Sequence, residues 1–232
     1  MKGFWKEAAA VEAEGGWTVE LDGKRVRTPL RNALTVPNEA LARALADEWN
    51  GAGEQVDPRQ MPLTGLANAA IDRVAADSGG FAATLAAYGE SDLLCYRAEG
   101  PRELLERQHA SWDELLSWGR RRFDVDFETT SGIVHMAQPD ATIQRLSHAV
   151  ATLDPFRLAG LSPLVTIGGS LLVALALLDG QTGPDDAWNA ITIDEQWQRE
   201  KWGEDVEAKA ALEARRKDFV AAAKFLELLG DQ

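Results

Sequence analysis

Apolar and polar residues alternate through Trp17-Thr18-Val19-Glu20-Leu21 and again through Lys24-Arg25-Val26-Arg27-Thr28, with Asp22-Gly23 between the two runs. Alternation on both sides of an Asp-Gly pair predicts a two-stranded hairpin closed by a tight turn. A third run, Ala33-Leu34-Thr35-Val36, stops at Pro37. The spacing therefore predicts a small antiparallel sheet of at least three strands, since an isolated hairpin is marginal in water.

After Pro37 the apolar period becomes helical. Leu41, Leu45 and Trp49 fall four apart, with Asn38 placed to cap the helix and Gly51 to end it. Further helices are expected over 63–76, with Thr64 as cap, and over 81–88. Another opens at Pro101, with a buried stripe of Leu104, Leu105, Trp112, Leu115 and Leu116 and a basic end at Arg120-Arg121-Arg122. Val125-Asp126-Phe127-Glu128, the turn Ser131-Gly132 and Ile133-Val134-His135-Met136 read as a short hairpin near 125–136. Helices from Pro139 to Ala151, from Pro184, and over 204–229 complete the chain. The fold class that follows is α+β: a small N-terminal antiparallel β domain over 1–37, then a larger, mainly α-helical domain over 38–232.

Residues 158–178 carry no charge, which is long enough for a membrane span. Gly160, Ser162, Pro163, Thr166, Gly168, Gly169 and Ser170 interrupt the first half, however, and leave a dense apolar run only over 171–178. A buried core helix is the expectation, with no stable membrane insertion. Charge narrows the picture further. The 232 residues hold 37 acidic and 24 basic side chains, a net charge of −13. Such a body repels nucleic acid and anionic lipid. Cys95 is the single cysteine, so the chain forms no internal disulfide and no cysteine-based zinc cluster. The first residues resemble neither a secretory signal nor an Arg-rich transit peptide. Cytoplasmic residence is expected, or the mitochondrial matrix if a targeting sequence has been removed.

Candidate chemistry is sparse. The chain lacks a P-loop, Gly-x-Gly-x-x-Gly, His-Glu-x-x-His, an EF-hand loop and Gly-x-Ser-x-Gly. Glu106-Arg107-Gln108-His109 places a carboxylate and an imidazole three apart, but a di-iron bundle needs a second such pair, and Gly132 and Arg145 stand where it would be. A Cys95 nucleophile would need a base that only the three histidines could supply, and Ser170 has no neighbouring Lys or His in sequence, so both read as structural. What stands out is tryptophan, eight in all. Trp197 and Trp202 lie among six carboxylates between Asp194 and Glu207. Two readings fit: both rings pack inward while the acids favour a helix N-terminus, or the stretch binds a partner presenting basic and apolar groups.

Several blocks together resemble the assembly chaperones that hold the α subunit of F-type ATP synthase, relatives of mitochondrial ATP synthase assembly factor two. They are Arg27-Thr28-Pro29, Leu45-Ala46-Asp47-Glu48-Trp49, the run from Met61-Pro62-Leu63-Thr64-Gly65 to Ile71-Asp72, Asp92-Leu93-Leu94-Cys95-Tyr96-Arg97, Arg107-Gln108 with Trp112-Asp113, and Asp194-Glu195 through Trp202-Gly203-Glu204-Asp205 to Glu207-Ala208. The resemblance, to the shorter bacterial members, implies a small β domain followed by a helical one. It also implies a function without chemistry: binding the unassembled α subunit and masking the surface that later meets the β subunit. No cofactor, nucleotide or metal is implied, and the free protein is expected to be monomeric.

Moderate affinity and electrostatic steering suit such a holder. The contact surface is therefore placed at the acidic block, with Glu195, Glu204, Asp205 and Glu207 as charge contacts and Trp202 as anchor. Trp49 and Asp72 suit structural roles at least as well. Two alternatives stay open: an enzyme whose carboxylates, Asp194 and Glu195, are assembled by the fold, and a peripheral membrane protein using 158–178.

Overall fold

The computed structural model describes residues 5–52, 56–203 and 205–230. The architecture is α+β. Strands β1 (Ala8–Ala13), β2 (Gly16–Leu21), β3 (Lys24–Arg25) and β4 (Thr35–Val36) precede helices α1 (Glu39–Gly51), α2 (Pro62–Ala69) and α3 (Ser78–Ala86). Then follow β5 (Tyr96–Arg97), α4 (Arg102–Phe123), β6 (Thr130–Ser131), α5 (Asp140–Ala151), α6 (Pro155–Gly168), α7 (Leu171–Leu178), α8 (Pro184–Ile191), α9 (Ile193–Trp202) and α10 (Val206–Leu229). The chain divides into two compact units. One comprises Met1–Ser78, Asp154–Gly160 and Lys224–Gln232; the other comprises Gly79–Leu153 and Leu161–Ala223.

In the first unit β2 is central, pairing antiparallel with β1, β3 and β4. The hairpin forms as its sequence predicts. Asp22 and Gly23 both take positive φ, 47° and 80°, the geometry a right-twisted two-residue turn demands. The alternation in β2 puts Val19 inside, with Val26, Leu34 and Val36. Strand β1 has no such signal, because its alanines are poor strand formers. Its backbone is recruited by full-length pairing with β2 and by Asn50, whose amide donates to the Ala8 carbonyl at 2.9 Å and accepts the Ala8 N–H at 2.7 Å. Where the chain passes from β1 into β2, a Cβ on Gly16 would lie 2.3 Å from the Val36 carbonyl oxygen, so only glycine permits the pairing with β4.

Helix α1 follows the expected period, burying Leu41, Ala42, Leu45 and Ala46. Asn38 serves two helix ends at once. Its Oδ1 accepts the Leu41 N–H at 2.9 Å, while its Nδ2 donates to the Leu228 and Leu229 carbonyls at the end of α10. Thr64 is not a cap. The N-terminus of α2 is capped across space by Glu48, whose two carboxylate oxygens each accept one N–H, from Leu63 and Thr64, at 2.8 Å. The helix expected over 63–76 becomes α2 followed by a π turn over 70–74, marked by an Ala75 N–H to Ala70 carbonyl bond of 2.9 Å.

The second unit is built on α4, α7, α8 and α9. The apolar run over 158–178 is two helices rather than one. Gly169 at φ 64° ends α6, and the Ser170 hydroxyl accepts the Val173 N–H at 3.0 Å to start α7. Every residue from Leu171 to Ala176 is buried, because α4, α8 and the turn at 87–91 pack against this short segment. Close approach to α4 needs Gly119, where a Cβ would lie 2.6 Å from Leu172. The hairpin near 125–136 does not form. Thr130–Ser131 pairs in parallel with Tyr96–Arg97 instead, and Phe127 turns inward. Local alternation there was overruled by a partner distant in sequence. No helix among the described residues is long and apolar enough to cross a membrane.

Candidate functional site

Helix α4 presents a face of polar groups that grips α8 and α9. The Gln108 side chain, fully buried, donates from Nε2 to the Asp194 carboxylate at 2.7 Å and accepts the Ala98 N–H on Oε1 at 2.9 Å. One turn on, Trp112 donates its indole N–H to the Ala190 carbonyl at 2.8 Å. The Arg97 guanidinium stacks 5.2 Å from the Trp112 ring and bonds Asp113 at 2.7 Å. At the edge, Arg107 holds Glu200 through two N–H groups, at 2.9 and 2.7 Å, and Lys201 reaches Glu103 at 2.7 Å. The Lys201 ammonium, with help from Arg107, keeps the Glu103 carboxyl below its ordinary range, and the Arg107 contact does the same for Glu200.

Asp92 is a second fastening, buried at 1% exposure. Its oxygens accept the Leu94 N–H at 3.1 Å, the Ser170 hydroxyl at 2.7 Å and the Leu172 N–H at 2.9 Å. Burial pushes its acid strength down and its pKa up, opposed by those donors. Cys95 beside it has its thiol pushed up to about 12, by burial first and by the Asp92 charge second. A thiol so weakly acidic at neutral pH suits a packed interior.

The predicted contact residues divide. Glu195, in the first turn of α9, takes the Arg215 guanidinium on Oε1 at 2.8 Å, and its Oε2 is buried with no hydrogen-bond partner among the described residues. Trp197 is buried, with Trp202 edge-on to it at 5.6 Å and 86° between the rings. Gly203 at φ 89° then breaks the helix, its N–H bonding the Arg199 carbonyl. Trp202 itself is 75% exposed, and Val206, the first residue of α10, is 80% exposed. Asp205 and Glu207 flank Val206 in solvent, joined by the Glu207 N–H to the Asp205 carboxylate at 3.2 Å. Glu204 lies outside the described residues. The corner thus offers a half-supported indole ring, an isopropyl group and two carboxylates, a combination that suits a partner carrying basic and apolar side chains.

The carboxylates of the enzyme alternative are each paired within the fold, Asp194 with Gln108 and Glu195 with Arg215. Glu106 and His109 likewise diverge, to Arg102 at 2.7 Å and Asp113 at 3.0 Å. Sequence reasoning missed Ile133 and Val134, 97% and 74% exposed, on the segment read as a hairpin. Their only signal was the uncharged apolar run itself, which the hairpin reading had absorbed.

Comparison with known proteins places these features in a family. A sequence profile described as ATP12 chaperone protein matches residues 2–120. The mitochondrial protein atp12 of Schizosaccharomyces pombe is 26% identical over 212 residues, covering 86% of this chain and 73% of its own length. ATP12 of Saccharomyces cerevisiae, also mitochondrial, is 25% identical, covering 94% of this chain and 82% of its own. The crystal structure of Atp12 from Paracoccus denitrificans is 39% identical, with a TM-score of 0.93 over 98% of each chain. A protein from Agrobacterium tumefaciens described as a putative chaperone is 37% identical, with a TM-score of 0.93 over 97% of this chain and 85% of that one. With the profile spanning half the sequence and the shared fold nearly all of it, the chain belongs to the ATP12 chaperone family.

Proposed function

We propose that this protein is an ATP synthase assembly chaperone that binds the unassembled α subunit of the F-type enzyme, covers the surface destined for the β subunit and keeps it from aggregating until that partner arrives. The bound surface is the α9–α10 corner, with Trp202 as anchor, Val206 beside it, and Asp205 and Glu207 supplying charge. Glu204, between them in sequence, belongs to the same acidic stretch, and Glu195 supports the corner through Arg215. The free chaperone is a monomer and works in the bacterial cytoplasm. The observation that carries the reading is Trp202, a tryptophan 75% exposed at a helix break beside an equally exposed valine. Large rings left in water at a charged rim are what hot spots look like before their partner is present.

Holding without trapping follows from the size of this patch. One indole and one valine bury enough apolar area for moderate affinity, and exposed carboxylates add steering that salt weakens. The β subunit can then displace the chaperone by offering a larger interface. Purified α subunit, diluted from denaturant, should scatter less light when this protein is added, and Trp202→Ala with Glu207→Lys should lose most of that protection at unchanged helicity. Equal protection by wild type and variant would remove the corner as the contact.

A further inference from the structure

We infer that the loop at residues 28–32, in the first unit, is a second docking surface that takes an acidic segment of the client polypeptide carrying an apolar side chain. It rests on the reading that this protein holds an unassembled chain. The sequence blocks Arg27-Thr28-Pro29 and Ile71-Asp72 are far apart in sequence but meet here. Asp72 accepts the Thr28 hydroxyl at 2.6 Å and the Asn32 amide at 2.8 Å on Oδ1, and the Leu30 N–H at 3.0 Å on Oδ2. Loss of water around the carboxyl is outweighed by these three donors, so it stays ionised below the usual aspartate range. Across the loop, the Thr28 N–H donates to the Asn32 carbonyl at 3.0 Å, the Arg31 N–H to the Thr28 carbonyl at 2.8 Å, and the Arg27 guanidinium to the Arg31 carbonyl at 2.9 Å.

This fastening fixes an unusual geometry at the loop tip. Arg31 is held at φ 68°, a left-handed conformation unfavourable for a residue with a Cβ. Leu30 gives only its N–H to the tether, and its side chain is 67% exposed at the tip. Apart from Asp72, whose carboxylate the loop's own donors enclose, the charge of this stretch is opposite to that of the whole chain. Residues 23–38 contain four basic side chains and no acidic one, in a protein of net charge −13. Arg25 meets Glu20 at 3.4 Å, but Lys24, Arg27 and Arg31 are exposed and have no carboxylate partner among the described residues. A rigid apolar tip with a cationic rim loses little entropy on binding and selects an acidic ligand. A short acidic segment meets the rim alone, whereas an extended polyanion or an anionic bilayer would also meet the acidic body.

The test uses the full-length protein and immobilised, purified α subunit of F-type ATP synthase. A double variant, Leu30→Ser with Arg31→Glu, should lower retention roughly tenfold and flatten its salt dependence, with the melting temperature unchanged. Arg31→Gly removes one charge and suits the left-handed backbone, so it should bind roughly threefold more weakly while melting no lower than wild type. If the double variant is retained as well as wild type while Trp202→Ala is not, this inference is wrong and the chaperone reading stands. If wild type itself is not retained, the chaperone reading fails and takes this one with it. Binding to phosphatidylserine-containing vesicles or to heparin, or self-association on concentration, lost in the double variant, would overturn the client assignment.

Discussion

The first half of α9 and the corner that follows it draw on the same residue types, carboxylates interleaved with tryptophans, and the fold uses them in opposite ways. Asp194, Glu195 and Trp197 are consumed inside the second unit by Gln108, Arg215 and packing. Trp202, Asp205, Val206 and Glu207 are left in water. One family block therefore contains both a fastening and a face. Of the two readings of the block in the sequence, inward packing holds for its first half, and the second half is left in solvent, where we propose that a partner binds. Under the proposed function, the fastening half would hold the presenting half in place, so that an exposed ring anchors a partner without losing much entropy on binding.

The sharpest way to break that division is to cut the fastening. Trp112→Ala removes a buried ring, its bond to Ala190 and the surface on which Arg97 stacks, and should cost about 3–5 kcal/mol in a denaturant titration. A loss below about 1 kcal/mol would mean that α4 does not anchor α8 and α9. Asp194→Ala leaves the buried Gln108 amide without its acceptor and should cost about 1–3 kcal/mol by the same measurement. Any loss of chaperone action in these two variants should track the loss of folded protein.

On the presenting half the pattern reverses. Trp202→Ala should change stability by no more than about 0.5 kcal/mol, since the ring is mostly in solvent, yet raise light scattering by the α subunit severalfold. A large drop in melting temperature would instead make Trp202 a packing residue. The smallest effect is set by acid. Glu103 and Glu200 titrate below their ordinary range in the folded protein, so they bind fewer protons folded than unfolded. The stability they supply is present above the unfolded glutamate range, about 4.3, and is lost as pH falls through their folded values. Glu200→Gln should flatten the acid limb of a stability-against-pH curve slightly, and an unchanged limb would mean that the Arg107 pair is idle.

Some of this was readable from neighbouring residues alone. The hairpin at Asp22-Gly23, the Asn38 cap and the period of α1 depend on residues within a few positions of one another, and they appear as expected. Features that depend on distant partners were not readable. Glu48 rather than Thr64 caps α2, β1 is a strand because β2 pairs with it, and Thr130–Ser131 pairs with Tyr96–Arg97 in place of a local hairpin. The corner was half legible. Trp197 and Trp202 lie five apart, about 140° around an α-helix, so the pattern implied different faces without saying which faced water.

Composition and local order thus settled the α+β class, the sign of the charge, the shortage of catalytic motifs and the family blocks. Packing decided which members of each block are spent and which are shown. A carboxylate or a tryptophan has the same local preferences in either role, and only the groups brought to it across the fold determine whether water or protein satisfies it.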